Sequence, residues 1–201
     1  MPNFDKPQTA LVLLAAGQSK RLGQCKALVD LAGQTPLERL IEAGRSISSA
    51  QPLVISGADH EKIAKGLPAK CELLLNPDWE MGRSGGVALA AAARAGFDLC
   101  IAPVDVPLVP RAVFWAMQNA WQACGSPERG WLAPCFEGRH GHPILIGRAL
   151  ARELAGWEAD RPLRELRAKA DPELSIGTPH MEVLDDLDRN SDLKSLRQRI
   201  S

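Results

Sequence analysis

The chain lacks a surplus of charge: 24 lysines and arginines face 24 aspartates and glutamates across 201 residues. Long nucleic-acid footprints and anionic membrane surfaces select for a positive excess, so no nucleic-acid and no membrane partner is expected, and a small-molecule substrate is the better reading. Polar low-complexity tracts are missing too, and with 45% hydrophobic and 24% charged residues the composition excludes a disordered protein. The five cysteines (Cys25, Cys71, Cys100, Cys124 and Cys135) stand singly, without the close pairs of a zinc site or the density of a secreted disulfide scaffold. A reducing, cytoplasmic location fits. The apolar run Ala10 to Ala16 is too short for a membrane span or a flanked signal segment, and nothing else directs the chain elsewhere. No internal repeat and no linker rich in proline, glycine or serine divides it, so residues 1–201 read as one domain.

What is present is an alternation of short apolar runs and segments with helical spacing. Ala10 to Ala16, Pro52 to Ser56, Cys71 to Leu75 and Asp98 to Ala102 read as strands, the first buried on both faces as in a parallel sheet. Thr35-Pro36 with Leu37, Leu40 and Ile41 gives a capped helix, Val87 to Ala95 a second one before Gly96, and Pro110 to Cys124 a third. In the third, Val113, Phe114, Met117 and Trp121 fall on one face and read as core. After about residue 126 the pattern loosens: Trp131 to Phe136, His142 to Ile146 and Met181 to Leu184 read as strands. Arg148 to Leu154, Pro162 to Ala170 and Ser191 to Ile200 read as helices. The expected architecture is an α/β/α three-layer sandwich around a mostly parallel mixed sheet.

Three segments carry candidate chemistry. Gly17-Gln-Ser-Lys-Arg-Leu-Gly23 follows the first strand, where ligands bind in open α/β sheets. Its spacing fits neither the dinucleotide fingerprint nor a Walker loop, yet its glycines and the cations Lys20, Arg21 and Lys26 suit a polyphosphate; the bland alternative is a glycine turn with solvated basic residues. Asp105 closes another apolar strand, in Pro103-Val-Asp-Val-Pro107, and as a hard oxygen ligand it suits Mg²⁺; the alternative is a cap for the helix near Pro110. Asn76 to Gly86 places glycines before a helix N-terminus, where a ligand can approach closely or a turn can simply flex. A zinc reading of His140 and His142 has no third ligand at useful spacing, and His60 and His180 read as surface residues. The five tryptophans read as core or cleft wall, because no aromatic-basic interleaving accompanies them.

Leu14-Ala-Ala-Gly-Gln-Ser-Lys-Arg-Leu-Gly-Gln-Cys-Lys26 resembles the L-A-A-G-x-S-x-R-M-G-x-x-K element of nucleotidyltransferases related to molybdenum cofactor cytidylyl- and guanylyltransferases, with Leu22 in place of methionine. Three more elements follow in the family's order. Asn76 to Gly86 is similar to N-x-x-W-x-x-G-x-x-x-S, with Gly86 where serine is common; Pro103 to Pro107 resembles D-x-P; and Leu184 to Leu193 resembles D-I-D/N-T-P-E-D-L, with Arg189-Asn190 in place of Thr-Pro. The Glu137 to Pro143 stretch is similar to a G-R-x-G-H-P element.

That resemblance implies a Rossmann-like fold of the nucleotide-diphospho-sugar transferase type and Mg²⁺-dependent transfer of a nucleoside monophosphate to a phosphorylated acceptor, the molybdopterin cofactor. It implies catalytic roles for Arg21, Lys26 and Asp105, and a metal held by Asp105 and Asp188, with Asp186 as the substitute for the latter. Nucleotide contacts fall on Leu14, Ala15, Ala16, Gly17, Ser19, Arg21, Lys26, Asn76 and Gly82, with Ser84 replacing the hydroxyl missing at Gly86; acceptor contacts fall on Arg139 and His142. Ala15-Ala16-Gly17 resembles the cytidylyl branch, which favours CTP as the donor, and a client molybdoenzyme is a possible further partner. Two rivals stand beside this reading: a sugar- or polyol-phosphate nucleotidyltransferase, which shares the glycine loop and the metal acid, and a non-catalytic carrier of the nucleotide-linked cofactor, against which Lys26, Asp105 and Asp188 argue.

Overall fold

The computed structural model describes residues 8–157 and 160–200. Its spine is the parallel strand β1 (Thr9–Ala15), whose apolar residues alternate between two helical layers. On one side it pairs with β2 (Leu53–Ser56), which pairs with β3 (Glu72–Leu75); on the other it pairs with β4 (Asp98–Pro103), all parallel. The connections contain α1 (Pro36–Gly44), α2 (His60–Lys65) and α3 (Arg83–Ala93), and α4 (Arg111–Ala123) follows β4. Next come β5 (Trp131–Phe136), β6 (Arg139–His140) and β7 (Ile144–Ile146), with β7 antiparallel to both β4 and β5. Helices α5 (Arg148–Arg152) and α6 (Leu163–Arg167) lead to β8 (Glu173–Gly177), which adds to β5 in parallel, and α7 (Asn190–Ile200) ends the described chain. The result is the expected α/β/α sandwich on a mostly parallel mixed sheet.

Strand alternation assigns the layers. Leu11 and Leu13 point into a cluster with Leu37 and Leu40 of α1 and Phe114 and Trp121 of α4. Ala10 and Val12 point the other way, onto Val87 and Ala90 of α3, Leu150 of α5 and Leu166 of α6. Burying such side chains on both faces supplies roughly 1.5–3 kcal/mol each, which is why a strand of this kind reads as an unbroken apolar run. A third cluster joins Leu22, Val29 and Leu31 to Leu187, Leu193 and Leu196, so α7 clamps the segment after β1.

Local devices fix the ends. Thr35 caps α1: its hydroxyl accepts from the Glu38 N–H at 3.2 Å, and the Glu38 carboxylate accepts from the Thr35 N–H at 2.7 Å. Thr35→Ala will therefore lower stability by about 1 kcal/mol in a urea titration, with the slope unchanged. Asp98, 1% exposed, accepts from the Trp121 indole at 2.9 Å and the Arg148 N–H at 3.0 Å. Burial pushes its carboxyl up, and these donors oppose the shift.

Several expectations are corrected. Met181–Leu184 is a 3₁₀ turn, and the last strand is β8. The strand expected from His142 begins only at Ile144, after a short strand β6 that was not expected, because the pairing slips by two residues between Cys135–His140 and Leu132–Leu145 as Gly141 to Pro143 detour. Helix α3 starts at Arg83, a turn before the alanine run. Helix α5 passes at Glu153 into a 3₁₀ turn, and α6 is one short helix inside the expected span. Among the described residues, no helix is long and apolar enough to cross a membrane.

Candidate functional site

A cleft of about 340 Å³ opens at the carboxyl ends of β1 and β4. Its back wall is the loop after β1, which the chain shapes by local hydrogen bonds. Ser19 takes a positive φ of 53°, its carbonyl accepts from the N–H groups of Leu22 and Gly23 at 3.1 Å each, and its hydroxyl accepts from the Lys26 N–H at 3.2 Å. Gly23 completes the turn at φ 75°, a value that suits glycine. Leu22, 3% exposed, anchors the loop in the α7 cluster, so Arg21 and Lys26 are left beside the cleft.

Two acids from distant parts of the chain line the same cleft. Asp105 follows β4, and the Leu187 N–H donates to its carbonyl at 2.8 Å, tying the 185–188 segment to the strand end. Asp188 accepts from Lys26 Nζ at 2.6 Å and from Arg21 Nη1 at 3.1 Å. Lys26 above all, then Arg21, holds its carboxyl below the usual range. Asp105 accepts from Arg83 Nη2 at 2.8 Å through Oδ2, while its Oδ1 is buried without a partner. Asp105 does not cap α4, whose N-cap is Pro110; the acidic helix start belongs to Asp192, which accepts from the Asp188 and Arg189 N–H groups at 3.0 and 2.7 Å. Asp186 lies outside the cleft wall, and its carboxyl is pushed up by burial and by the charges of Asp188 and Asp105.

The opposite wall comes from β3 and α3. Asn76 is 2% exposed; its Oδ1 accepts from the Asp78 N–H at 3.1 Å, while Nδ2 has no partner. Gly82 precedes α3 at φ 135°, a conformation open to glycine alone in practice. A Cβ on Gly57 would sit 2.5 Å from the Ala16 carbonyl oxygen and 2.6 Å from Trp79 Cβ, so a glycine after β2 is what allows Trp79 to close on the loop.

Eleven of the residues singled out from the sequence line this one cleft: Leu14, Ala15, Ala16, Gly17, Ser19, Arg21, Lys26, Asn76, Gly82, Asp105 and Asp188. Three do not. Ser84 is buried and its hydroxyl donates to the Arg161 carbonyl, so it has turned away from the nucleotide position expected of it. Arg139 is exposed on β6, outside the cleft lining. His142 sits at the border, its Nδ1 enclosed without a partner, close enough to feel Asp105 and Arg83. His60 and His180 are half-buried rather than on the open surface, and His60 Nδ1 lies 2.7 Å from the Ser56 hydroxyl.

Burial pushes the His142 imidazole down to about 4; Asp105 opposes the shift and Arg83 adds to it. The imidazole signals in NMR will therefore titrate near pH 4 rather than at the ordinary value of about 6.5. The neutral ring is the one the fold favours, so its contribution to stability is complete above the unfolded value and is lost as pH falls through the folded one.

Sequence reasoning missed Arg83. With the helix expected from Val87, nothing in the sequence marked Arg83; α3 begins at Arg83, which puts the cation in a first turn, where it opposes the macrodipole and pairs with Asp105.

The model of the MobA-like NTP transferase domain matches residues 11–174. The molybdenum cofactor guanylyltransferase of Xanthomonas euvesicatoria pv. vesicatoria is 31% identical over 168 residues, which is 82% of this chain and 80% of that protein. The bifunctional protein GlmU of Rhizorhabdus wittichii is 31% identical over 152 residues, 74% of this chain, and the chain spans 32% of that longer protein. Rv0371c from Mycobacterium tuberculosis H37Rv superposes with a TM-score of 0.79 at 21% identity, covering 96% of this chain and 98% of that one. A second structure of Rv0371c is a complex with manganese, with a TM-score of 0.76 at 19% identity over 95% of this chain and 98% of that one. Since the matched residues run from β1 to β8 and so take in the loop, Asp105 and the sheet that carries them, the chain belongs to the MobA-like NTP transferase family.

Proposed function

We propose that the chain is a Mg²⁺-dependent nucleotidyltransferase that moves CMP from CTP to the phosphate of molybdopterin and releases pyrophosphate. The observation that carries this reading is the convergence of Arg21, Lys26, Asp105 and Asp188 on one cleft at the carboxyl end of the sheet. The preference for CTP rests on the Ala15-Ala16-Gly17 sequence, and the acceptor on likeness to proteins of molybdenum cofactor assembly.

The donor set fits a hard divalent cation. Two carboxylates line the cleft, one with an enclosed oxygen lacking any partner, and among the described residues no three His, Cys, Asp or Glu side chains form a closed cage. Magnesium is usually held in just this way, by one or two carboxylates with substrate phosphates completing its shell. Asp105 and Asp188 would hold it, and its chemistry there is to neutralise charge on the phosphoryl oxygens.

The chain's own groups do the rest. Arg21 and Lys26, rooted in a loop fixed by Ser19 and Leu22, bind the triphosphate and stabilise charge that grows on the α-phosphoryl oxygens during transfer. An acceptor phosphate oxygen attacks the α-phosphorus in line, forming a new P–O bond as the bond to the β-phosphate bridging oxygen breaks, and pyrophosphate leaves with those electrons. No covalent enzyme intermediate is required. The test is pyrophosphate release with each NTP, with and without molybdopterin, and with the metal removed by EDTA. Turnover with CTP and molybdopterin that stops on chelation is the expected result; no release with any NTP would end the reading.

A further inference from the structure

The cleft holds an ion pair that the transfer reaction leaves unused. Arg83 opens α3, a position where the helix dipole repels a cation, and it reaches Asp105 at 2.8 Å. Its side chain is 62% exposed and Asp105's is 15% exposed, so the arginine has room to move while the carboxylate does not. The oxygen that Arg83 occupies is Oδ2; Oδ1 is enclosed and empty-handed. A divalent cation entering here has to compete with the guanidinium for the same carboxylate, since two cations on one carboxylate repel each other.

The same competition sorts the cleft's cations into two groups. Arg21 and Lys26 stand on the loop side with Asp188, whereas Arg83 stands on the α3 side, beside Asp105. A metal on both acids would release all three cations. The loop pair then serves the triphosphate, and Arg83 is left without an anion on the α3 wall of the cleft, where planar bidentate recognition of a phosphate is the chemistry a guanidinium does best.

We propose that Arg83 is a switchable counter-ion: it occupies Asp105 in the empty cleft, and once a divalent cation takes that carboxylate it swings to the phosphate monoester of the acceptor. The proposal rests on the nucleotidyltransferase reading for its second half only. Its first half concerns the protein alone, which keeps the two failures apart.

The test uses Arg83→Gln and Arg83→Lys in the full chain. Binding of Mn²⁺, followed without nucleotide by the electron paramagnetic resonance signal of the free ion, should tighten about tenfold in Arg83→Gln and less in Arg83→Lys, because the competitor is gone or weakened. Unchanged or weaker Mn²⁺ binding in Arg83→Gln, with its thermal unfolding like wild type, would overturn the lock. In the pyrophosphate assay the KM for molybdopterin should rise about tenfold or more in Arg83→Gln while the KM for CTP stays within about twofold. Equal shifts in both constants, or no shift for the acceptor, would overturn the acceptor role. Wild-type protein that binds Mn²⁺ but releases no pyrophosphate would instead refute the proposed function and leave the lock to the metal titration.

Discussion

Lys26→Ala will lower pyrophosphate release by about a hundredfold to a thousandfold, the loss typical of removing one preorganised donor from a developing phosphoryl or oxyanion charge. The size follows from placement. The Lys26 side chain is 13% exposed, pinned between the Ser19 turn and Asp188, so its charge acts in a partly desolvated cleft. Stability should barely respond. Asp188 keeps Arg21, its side chain is 37% exposed, and pairs that solvent can reach contribute at most about 1 kcal/mol. A large kinetic loss with a melting temperature close to wild type is thus the expected pattern. A fall in turnover smaller than about tenfold would show that the triphosphate is bound elsewhere.

The same loop shows why much of this site was legible in the sequence. A run of seven residues almost wholly buried on both faces reads as an inner parallel strand, and the glycines and cations directly after it suit either a polyphosphate or a solvated turn; the order of the family-like elements decided for the first. Asp105 was legible for a related reason, since it stands just past the carboxyl end of a buried strand, whereas the strand's own acid, Asp98, is held by the Trp121 indole and the Arg148 N–H. The later third of the chain was harder. Along β8, exposed and half-buried residues alternate with little apolar weight, because the strand lies at the sheet margin, while Met181 to Leu184 has apolar weight and yet forms a 3₁₀ turn. Hydrophobic content tracks burial, and a marginal strand buries little.

Side-chain direction was the other limit. Ser84 stands in the right segment, but the start of α3 a turn earlier than the alanine run directs its hydroxyl to the Arg161 carbonyl instead of the cleft. Asp186 and Asp188 could not be separated by spacing, since residues two apart in an extended segment share a side. What separates them is tertiary: Leu187, 0% exposed, is drawn under α7 while its N–H reaches Asp105, and Lys26 and Arg21 then select Asp188.

Asp105→Asn is the sharper experiment on the acids. The asparagine keeps the shape of the side chain and leaves the Leu187 N–H to Asp105 carbonyl bond in place, so the 185–188 segment should stay where it is. Only the charge goes. Loss of a metal carboxylate forfeits several kcal/mol of transition-state stabilisation, so turnover should fall about a thousandfold or more, and calorimetric Mn²⁺ binding should fall with it. Stability should move little: Arg83, whose side chain is 62% exposed, keeps its hydration when its partner loses charge, and removing a negative charge relieves Asp186, whose carboxyl is already pushed up by burial and then by Asp188 and Asp105. A melting temperature within about 4 °C of wild type corresponds to a change of about 1 kcal/mol in a domain of this size. Asp186→Asn supplies the contrast, since that carboxyl lies off the cleft wall, and its cost should stay below about tenfold. If Asp186→Asn abolished turnover while Asp105→Asn or Asp188→Asn retained it, the pair of acids assigned here to the metal would be the wrong pair.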